Sequence, residues 1–475
     1  MNRLSASFRD PSGFVFSHNG IIHRQVNSRY APEYEQLMAS GLYEALTQKQ
    51  WLIRHEEVQE PAISADANAY KLLRPEQIPY ISYPYEWCFS QLKDAALLTL
   101  KIAAKALQHD MMLKDASAYN VQFLGSQPLF IDTLSFAPYV EGEPWIAYRQ
   151  FCQHFLAPLA LMAHVDISVA KLLVTQIDGI PLATASRLLP LKTRLKSGLY
   201  SHLHLHAKTQ QRFADSAEDI NTSPVENRKP RISKKALRAI LESLAVTINN
   251  LKWHPPKTEW GEYYAQTNYS PGAADDKASL LRQLIGSIAS PLETIHDLGA
   301  NTGVYSEVAA AHCRYLVSQD IDPIAVEAQY QKRRAAGPKN ILPLLQDVTA
   351  PSPAIGWRNT ERDAFTKRAH CDAVLALALV HHLAITNNTP LGDIAAFFAD
   401  LAPYLIIEFV PKSDSQVKRL LATREDIFPD YTEAGFERIF GELFTVERKQ
   451  GVAGSDRTLY LMKRRVDADN GGSMP

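Results

Sequence analysis

The sequence predicts an α+β domain followed by an α/β domain with a mostly parallel sheet. The chain has 475 residues, 46% of them hydrophobic, which is too long for one compact core. From residue 294 onward, short apolar strands alternate in order with helical segments. Ahead of them, a polar stretch without apolar periodicity is typical of a linker. We therefore predict an N-terminal domain at 1–207, a linker at 208–235, a C-terminal domain at 236–465 and a disordered tail at 466–475.

Composition narrows the class of protein. Lys and Arg number 50 and Asp and Glu 51, so a net charge of −1 provides no global attraction to nucleic acid. The four cysteines lie far apart without a CxxC pair, so neither a metal site nor a disulfide framework is predicted. No apolar run is long enough to span a bilayer and the N-terminus has no signal-like segment, so we predict a cytoplasmic protein.

The N-terminal half has a few clear elements. Two apolar stretches around the turn signal Asn19-Gly20 predict a β-hairpin over residues 13–26. Residues 87–107 have a helical pattern, and short strands are predicted at 121–123 and 129–131. Further along the chain, residues 236–250 carry apolar side chains at helical spacing, and we interpret them as the leading helix of the C-terminal domain.

The strongest motif begins where a strand at 294–298 enters a turn that contains Gly299 and Gly303 and then a helix. Because glycine has no Cβ, such a turn lets the backbone approach a nucleotide-like ligand closely. The stretch DLGANTG resembles motif I of class I methyltransferases, with Asn301 where the middle glycine is common. The resemblance implies a Rossmann-like domain whose cofactor is S-adenosyl-L-methionine, with Asp297 beside the amino acid moiety and the turn lining the cofactor.

The next strands end in carboxylates. The strand at 315–319 ends in Asp320, near the position where a carboxylate accepts both ribose hydroxyls; Asp322 is the alternative. A strand at 341–346 ends in Asp347, for which contact with the adenine amino group and a helix N-cap are the two interpretations. Strands at 372–377, 404–409, 444–447 and 458–462 complete a predicted seven-stranded, Rossmann-like methyltransferase sheet.

Aromatic residues precede this sheet. The segment from Trp260 to Tyr269 includes Tyr264 and resembles the flap that covers the cofactor in related enzymes. A helix that contributes aromatic side chains to the core is the equally open interpretation.

Three residues are candidates for chemistry at the methyl acceptor. His381 and His382 follow the fourth strand at its carboxyl end, where α/β sheets bind ligands, and either could be a general base for an acceptor hydroxyl. The alternative is that one contacts the cofactor and the other packs. Glu408, at the end of the fifth strand, could orient the acceptor, or it could instead pair with Lys412.

A second pattern lies in the N-terminal half. Asp115, Asn120 and Asp132 have spacings that resemble the catalytic loop and the metal-binding Asp of protein kinases. The resemblance implies binding of ATP with Mg²⁺. No glycine-rich loop and no Val-Ala-Ile-Lys strand accompany it, so a degenerate kinase-like fold and an unrelated α+β domain both remain open.

Three stretches, at 113–136, 145–158 and 407–412, resemble a family of bacterial methyltransferases that includes proteins labelled nodulation protein NoeA. The resemblance spans nearly the whole chain, and the label implies modification of a glycan or a lipid-linked signal. A small-molecule or glycan acceptor is our first expectation. The alternatives are a bifunctional enzyme that phosphorylates and methylates a glycan end, as O-antigen chain terminators do, and a protein or RNA methyltransferase.

Overall fold

A computed structural model describes residues 2–59, 68–209, 231–255, 271–336 and 340–465. Most of the predicted linker, the aromatic segment with Tyr264 and the predicted disordered tail lie outside the described residues. The chain forms two compact units. Unit 1 comprises Met1–Phe123, Gln127–Pro255 and Ala354–Arg362, and unit 2 comprises Leu124–Ser126, Pro256–Pro353 and Asp363–Pro475.

Unit 1 begins with a five-stranded antiparallel sheet in the order β1-β2-β3-β5-β4. Its strands are β1 (Asn2–Arg3), β2 (Gly13–His18), β3 (Ile21–Asn27), β4 (His55–Glu57) and β5 (Ala69–Pro75). The predicted hairpin is confirmed: Asn19 and Gly20 both have positive φ, which a two-residue hairpin turn needs. Two short hydrogen-bonded pairs follow, formed by β6 (Met111–Leu113) with β9 (Phe136–Pro138) and β7 (Val121–Leu124) with β8 (Gln127–Phe130).

The longest helix of unit 1 is Phe89–Gln108, whose apolar side chains are largely buried. The others are Ala31–Ala39, Leu42–Gln48, Tyr148–Phe151, Ala157–His164, Leu172–Thr175, Leu182–Leu188, Ser197–Leu199 and Lys234–Asn250, with π-helical turns at Cys152–Leu156 and Tyr200–Leu205.

The helix Lys234–Asn250 corrects the predicted domain boundary. It was expected to lead the C-terminal domain, but it belongs to unit 1. Lys93 of the helix Phe89–Gln108 donates hydrogen bonds to the carbonyl oxygens of Asn249, at 2.9 Å, and Leu251, at 2.8 Å. The apolar face of this helix was read correctly, but periodicity does not tell which core a face packs against.

Unit 2 is a seven-stranded sheet in the order β12-β11-β10-β13-β14-β16-β15. The strands are β10 (Leu292–Leu298), β11 (Cys313–Asp320), β12 (Ile341–Leu345), β13 (Ala373–Ala376), β14 (Tyr404–Phe409), β15 (Phe444–Gly451) and β16 (Thr458–Arg464). The first five are parallel, and β16 is antiparallel to both of its neighbours. Its helices are Pro271–Gly286, Val304–Ala310, Pro323–Ala336, Phe365–Arg368, Leu391–Leu401, Ser415–Leu421 and Glu433–Leu443.

Strand alternation gives unit 2 a core on each face of the sheet. Along β13, Val374 faces one core and Leu375 faces the other, and along β14 the pair Ile406 and Ile407 does the same. Because successive side chains point to opposite faces, a strand that is covered on both sides must be apolar throughout. This is why β13 and β14 could be recognised in the sequence from their runs of apolar residues.

The two edge strands of the unit 2 sheet carry features that oppose further pairing. β12 contains Pro343, which has no backbone N–H to donate. β15 is mostly exposed, carries Glu447, Arg448 and Lys449, and has a register shift between Val446 and Arg448.

Candidate active site

Three residues of the turn after β10 have a backbone conformation that most residue types rarely adopt. Gly299, Asn301 and Gly303 all have positive φ. A Cβ on Gly303 would lie 2.6 Å from the Nε2 atom of Gln329, and one on Gly299 would lie 3.2 Å from Leu379 in the loop after β13. A side chain at either position would therefore need a strained backbone conformation and a shift of the neighbouring Gln329 or Leu379 side chain.

Two carboxylates end the first two strands of this site. Ser306 donates a 2.6 Å hydrogen bond to Asp297, and the backbone N–H groups of Asn301 and Asp322 donate to the two oxygens of Asp320, at 2.7 and 2.8 Å. Burial raises the pKa of Asp297 to about 6, and the charge of Asp320 adds to this. Burial likewise raises the pKa of Asp320 to about 6. The sequence thus places two close carboxylates at one end of β10 and β11.

The remaining predicted carboxylates differ in what they bind. Asp322, the alternative ribose contact, accepts a hydrogen bond from the N–H of Ile324 through Oδ1, whereas its buried Oδ2 has no partner among the described residues. Asp347 accepts hydrogen bonds from the N–H and the hydroxyl of Thr349, at 2.9 and 2.6 Å. No described helix begins at Asp347, so this bond closes a turn and the N-cap interpretation is wrong.

His381 and His382 follow β13, which pairs in parallel with β10. The two rings lie 4.2 Å apart between centroids. His381 is fully buried, and neither of its ring nitrogens has a hydrogen-bond partner among the described residues. Burial holds its pKa well below the ordinary value, and the charges of His382, Arg457 and Lys277 lower it further. The lowered pKa makes the neutral imidazole the stable form of His381.

Glu408 at the end of β14 has different partners from those expected. Its Oε2 lies 2.6 Å from the Nζ of Lys277, and its Oε1 lies 3.8 Å from Arg457; all three side chains are buried. The expected alternative, a pair with Lys412, is wrong, because Lys412 binds Asp426 at 2.7 Å. Lys277 also lies 4.4 Å from the centre of the Tyr305 ring, and burial lowers its pKa. Sequence reasoning missed Lys277 and Arg457, which no motif marks.

Unit 1 brings its three predicted residues together around a cation that was also missed. Asp115 accepts a hydrogen bond from Asn120, and burial together with the charge of Asp132 raises its pKa. Asp132 forms an ion pair with Arg24 of β3, at 2.5 Å, and accepts a hydrogen bond from Ser135. The cluster thus exists, but Arg24 already neutralises the carboxylate that was expected to hold a metal.

The ligand-binding geometry of unit 2 defines a class. Ligands of open α/β sheets bind at the carboxyl edge where the strand order reverses, and here β10 stands between β11 and β13. The glycine turn follows β10 and the histidines follow β13, so both border that point. The fold and the site define a Rossmann-like α/β protein with a nucleotide-type site.

Comparison with known proteins identifies the family. The chain is 38% identical over 467 residues to nodulation protein NoeA of Rhizobium meliloti (strain 1021). The aligned residues cover 97% of this chain and 96% of the relative. It therefore belongs to the family of NoeA nodulation proteins. No protein-family model matches the chain.

Several solved methyltransferase structures are similar to part of the chain. The N-methyltransferase NodS from Bradyrhizobium japonicum WM9 is 14% identical, with a TM-score of 0.31, and covers 41% of this chain and 98% of its own. Magnesium protoporphyrin IX methyltransferase from Synechocystis PCC 6803, solved with bound S-adenosylmethionine, is 16% identical, with a TM-score of 0.29, and covers 45% and 87%. Among the described residues, no helix is long and apolar enough to cross a membrane.

Proposed function

We propose that unit 2 is an S-adenosylmethionine-dependent methyltransferase that acts on a small-molecule or glycan acceptor. One observation carries the proposal. A turn with glycines at positive φ, Gly299 and Gly303, and two buried carboxylates, Asp297 and Asp320, border the reversal point of the sheet. This set of groups suits a nucleoside that carries a cationic amino acid chain.

The residues present fit this cofactor. Backbone N–H groups, among them those of Asn301 and Asp322, donate to both oxygens of Asp320, and the four lone pairs of a carboxylate still leave room to accept from a ribose hydroxyl. The unpartnered Oδ2 of Asp322 offers a further acceptor. Asp297 would face the ammonium group of the amino acid moiety, whose charge would also lower the pKa of this carboxyl again. Adenine contact at Asp347 stays a prediction, since that side chain keeps free lone pairs beside its turn.

The bound cofactor supplies a methyl group on a positively charged sulfur, which a nucleophile displaces directly. The chain must then align the nucleophile, exclude water and take up any proton that the acceptor loses. We infer that His381 takes that proton from an acceptor hydroxyl, because it is neutral and its nitrogens are unpartnered. Glu408 is held by Lys277 and Arg457, so we assign it a positioning role rather than that of a base.

Titration with S-adenosylhomocysteine tests the cofactor assignment. We expect the native protein to bind it and D320A to lose most of the affinity, because hydrogen bonding to the ribose is lost with the carboxylate. D393A is the matched control, since Asp393 is an exposed acid on the helix Leu391–Leu401 of the same unit. Equal binding by the native protein and D320A would refute the ribose assignment.

The acceptor class needs a second measurement. Transfer of a labelled methyl group would be compared among oligosaccharides with free hydroxyls or amines, an RNA fraction and a protein fraction. We expect label in the oligosaccharides and its loss in H381F if the acceptor atom is a hydroxyl oxygen. Label in RNA or protein alone would favour the alternative that unit 2 modifies a macromolecule.

We also propose a kinase-like fold for unit 1. The five-stranded antiparallel sheet with helices between β3 and β4, followed by the Asp115, Asn120 and Asp132 cluster, supports it. A bifunctional enzyme would need Arg24 to release Asp132 to Mg²⁺. ATP turnover that D132N abolishes would support phosphoryl transfer, whereas absence of any ATP binding would leave unit 1 as a lobe that recognises the acceptor.

A further inference from the structure

One segment of unit 1 combines exposed leucines with several cations, and we call residues 187–196 the basic-leucine segment. Leu191 is 73% exposed and Leu195 is 89% exposed, and Leu188 is exposed as well. Its cations are also exposed; they are Arg187, Lys192, Arg194 and Lys196. Apolar side chains this open to water, concentrated in ten residues, mark an interaction surface rather than a folding requirement.

The charged side chains of the basic-leucine segment are all cations. None of the four takes part in an ion pair within the described parts of the chain. The Nζ of Lys196 lies 3.4 Å from the Nε2 of His164, and burial, Lys196 and Lys192 together lower the pKa of that imidazole. The chain also has no acidic residue between Asp178 and Asp215. Within the described residues, positive charge therefore accumulates here without an ion-pair partner.

A buried polar network holds the segment from beneath. The hydroxyl of Thr193 donates to the carbonyl of Pro190 at 2.7 Å and lies 2.9 Å from the Nε2 of His204. The Nδ1 of His204 lies 2.8 Å from the hydroxyl of Ser186. With Thr193 donating to the carbonyl, His204 must donate through Nε2 and accept from Ser186 through Nδ1. The turn is thus fixed with its leucines and cations outward, before any partner arrives.

We propose that the basic-leucine segment docks unit 1 on the surface of an anionic phospholipid membrane. Each exposed leucine of this short turn has a cation next to it in the sequence: Arg187 precedes Leu188, Lys192 follows Leu191, and Leu195 lies between Arg194 and Lys196. This matches a bilayer interface, where acyl chains lie directly beneath negatively charged phosphates. An acidic protein surface would satisfy the cations but leave Leu195 and Leu191 without an apolar counterpart.

Co-sedimentation of the full-length protein with vesicles tests the proposal. We expect binding to phosphatidylcholine vesicles that contain roughly one-third phosphatidylglycerol, weakening as salt rises, and little binding to pure phosphatidylcholine. K192Q/R194Q should lower the partition coefficient about 25-fold, at about fivefold per cation near the surface. L191S/L195S should lower it by at least about tenfold.

Matched controls separate docking from general loss of charge or apolar area. K101Q/R238Q removes two exposed cations of unit 1, and V246S removes one exposed apolar side chain on the helix Lys234–Asn250. Both controls should bind vesicles like the native protein. Native protein that stays in the supernatant, or controls that lose binding as much as the two test variants do, would overturn the proposal. So would a dimer in the absence of lipid that L191S/L195S dissociates, since a second copy would then be the occupant.

Discussion

Replacing Lys277 by methionine should destabilise unit 2 strongly, because it leaves a buried carboxylate with one distant cation. Lys277 contacts Glu408 at 2.6 Å, whereas Arg457 lies 3.8 Å from the same carboxylate. Loss of one partner from a buried pair costs about 3–5 kcal/mol of stability. Because Arg457 remains near the carboxylate, we expect K277M to lose about 3 kcal/mol, the lower end of this range. The double variant K277M/E408Q should cost about 2 kcal/mol less than the sum of the single changes.

The free energy of unfolding would be measured in urea, with hydrogen exchange of a peptide covering β14 reporting on unit 2. K412M is the matched control: the pair of Lys412 with Asp426 is partly exposed, so its loss should cost at most about 1 kcal/mol. If K277M cost no more than K412M, or if the double variant were additive, the buried pair would not stabilise the fold as argued.

Three further predictions concern single groups of the site. G303A should cost about 1–3 kcal/mol in thermal unfolding, because φ is +75° and Gln329 blocks a Cβ, whereas G441A has open space and should not destabilise. Burial raises the pKa of Asp320 to about 6, so the dissociation constant of S-adenosylhomocysteine should rise at least about tenfold per pH unit as pH falls below that value. D320N should show a shallower dependence on pH, to which Asp297 with its similar pKa still contributes. H381F should change stability by less than about 1.5 kcal/mol yet stop transfer to a hydroxyl; a large loss of stability would reveal a structural role.

Much of the unit 2 sheet could be predicted because its strands are covered on both faces. β13 is apolar throughout and β11 and β14 have apolar centres, and the residues at the carboxyl ends of these parallel strands lie at one edge of the sheet by topology alone. The positions of Asp297, Asp320 and His381 near one another follow from that rule. The sequence could not tell how deeply each is buried, and burial is what raises or lowers their pKa.

The partners of Glu408 could not be predicted, for a physical reason. Lys277 is 131 residues away along the chain and follows two aspartates, Asp275 and Asp276, on its helix, so no local pattern indicates burial. Arg24 of β3 is a similar case, because one arginine in an alternating strand gives no sign of its partner Asp132. The helix Lys234–Asn250 shows the same limit, since its apolar face fits either neighbouring core.

The two edge strands of the unit 2 sheet affect whether molecules of this protein associate through their sheets at high concentration. Addition of a strand from another molecule needs a free row of N–H and C=O groups, and Pro343 interrupts that row on β12. On β15, the charges and the bulge make a flat, continuous ladder between molecules unfavourable. Folded chains crowded together should therefore resist joining their sheets into fibrils, and self-association, where it occurs, should involve other surfaces.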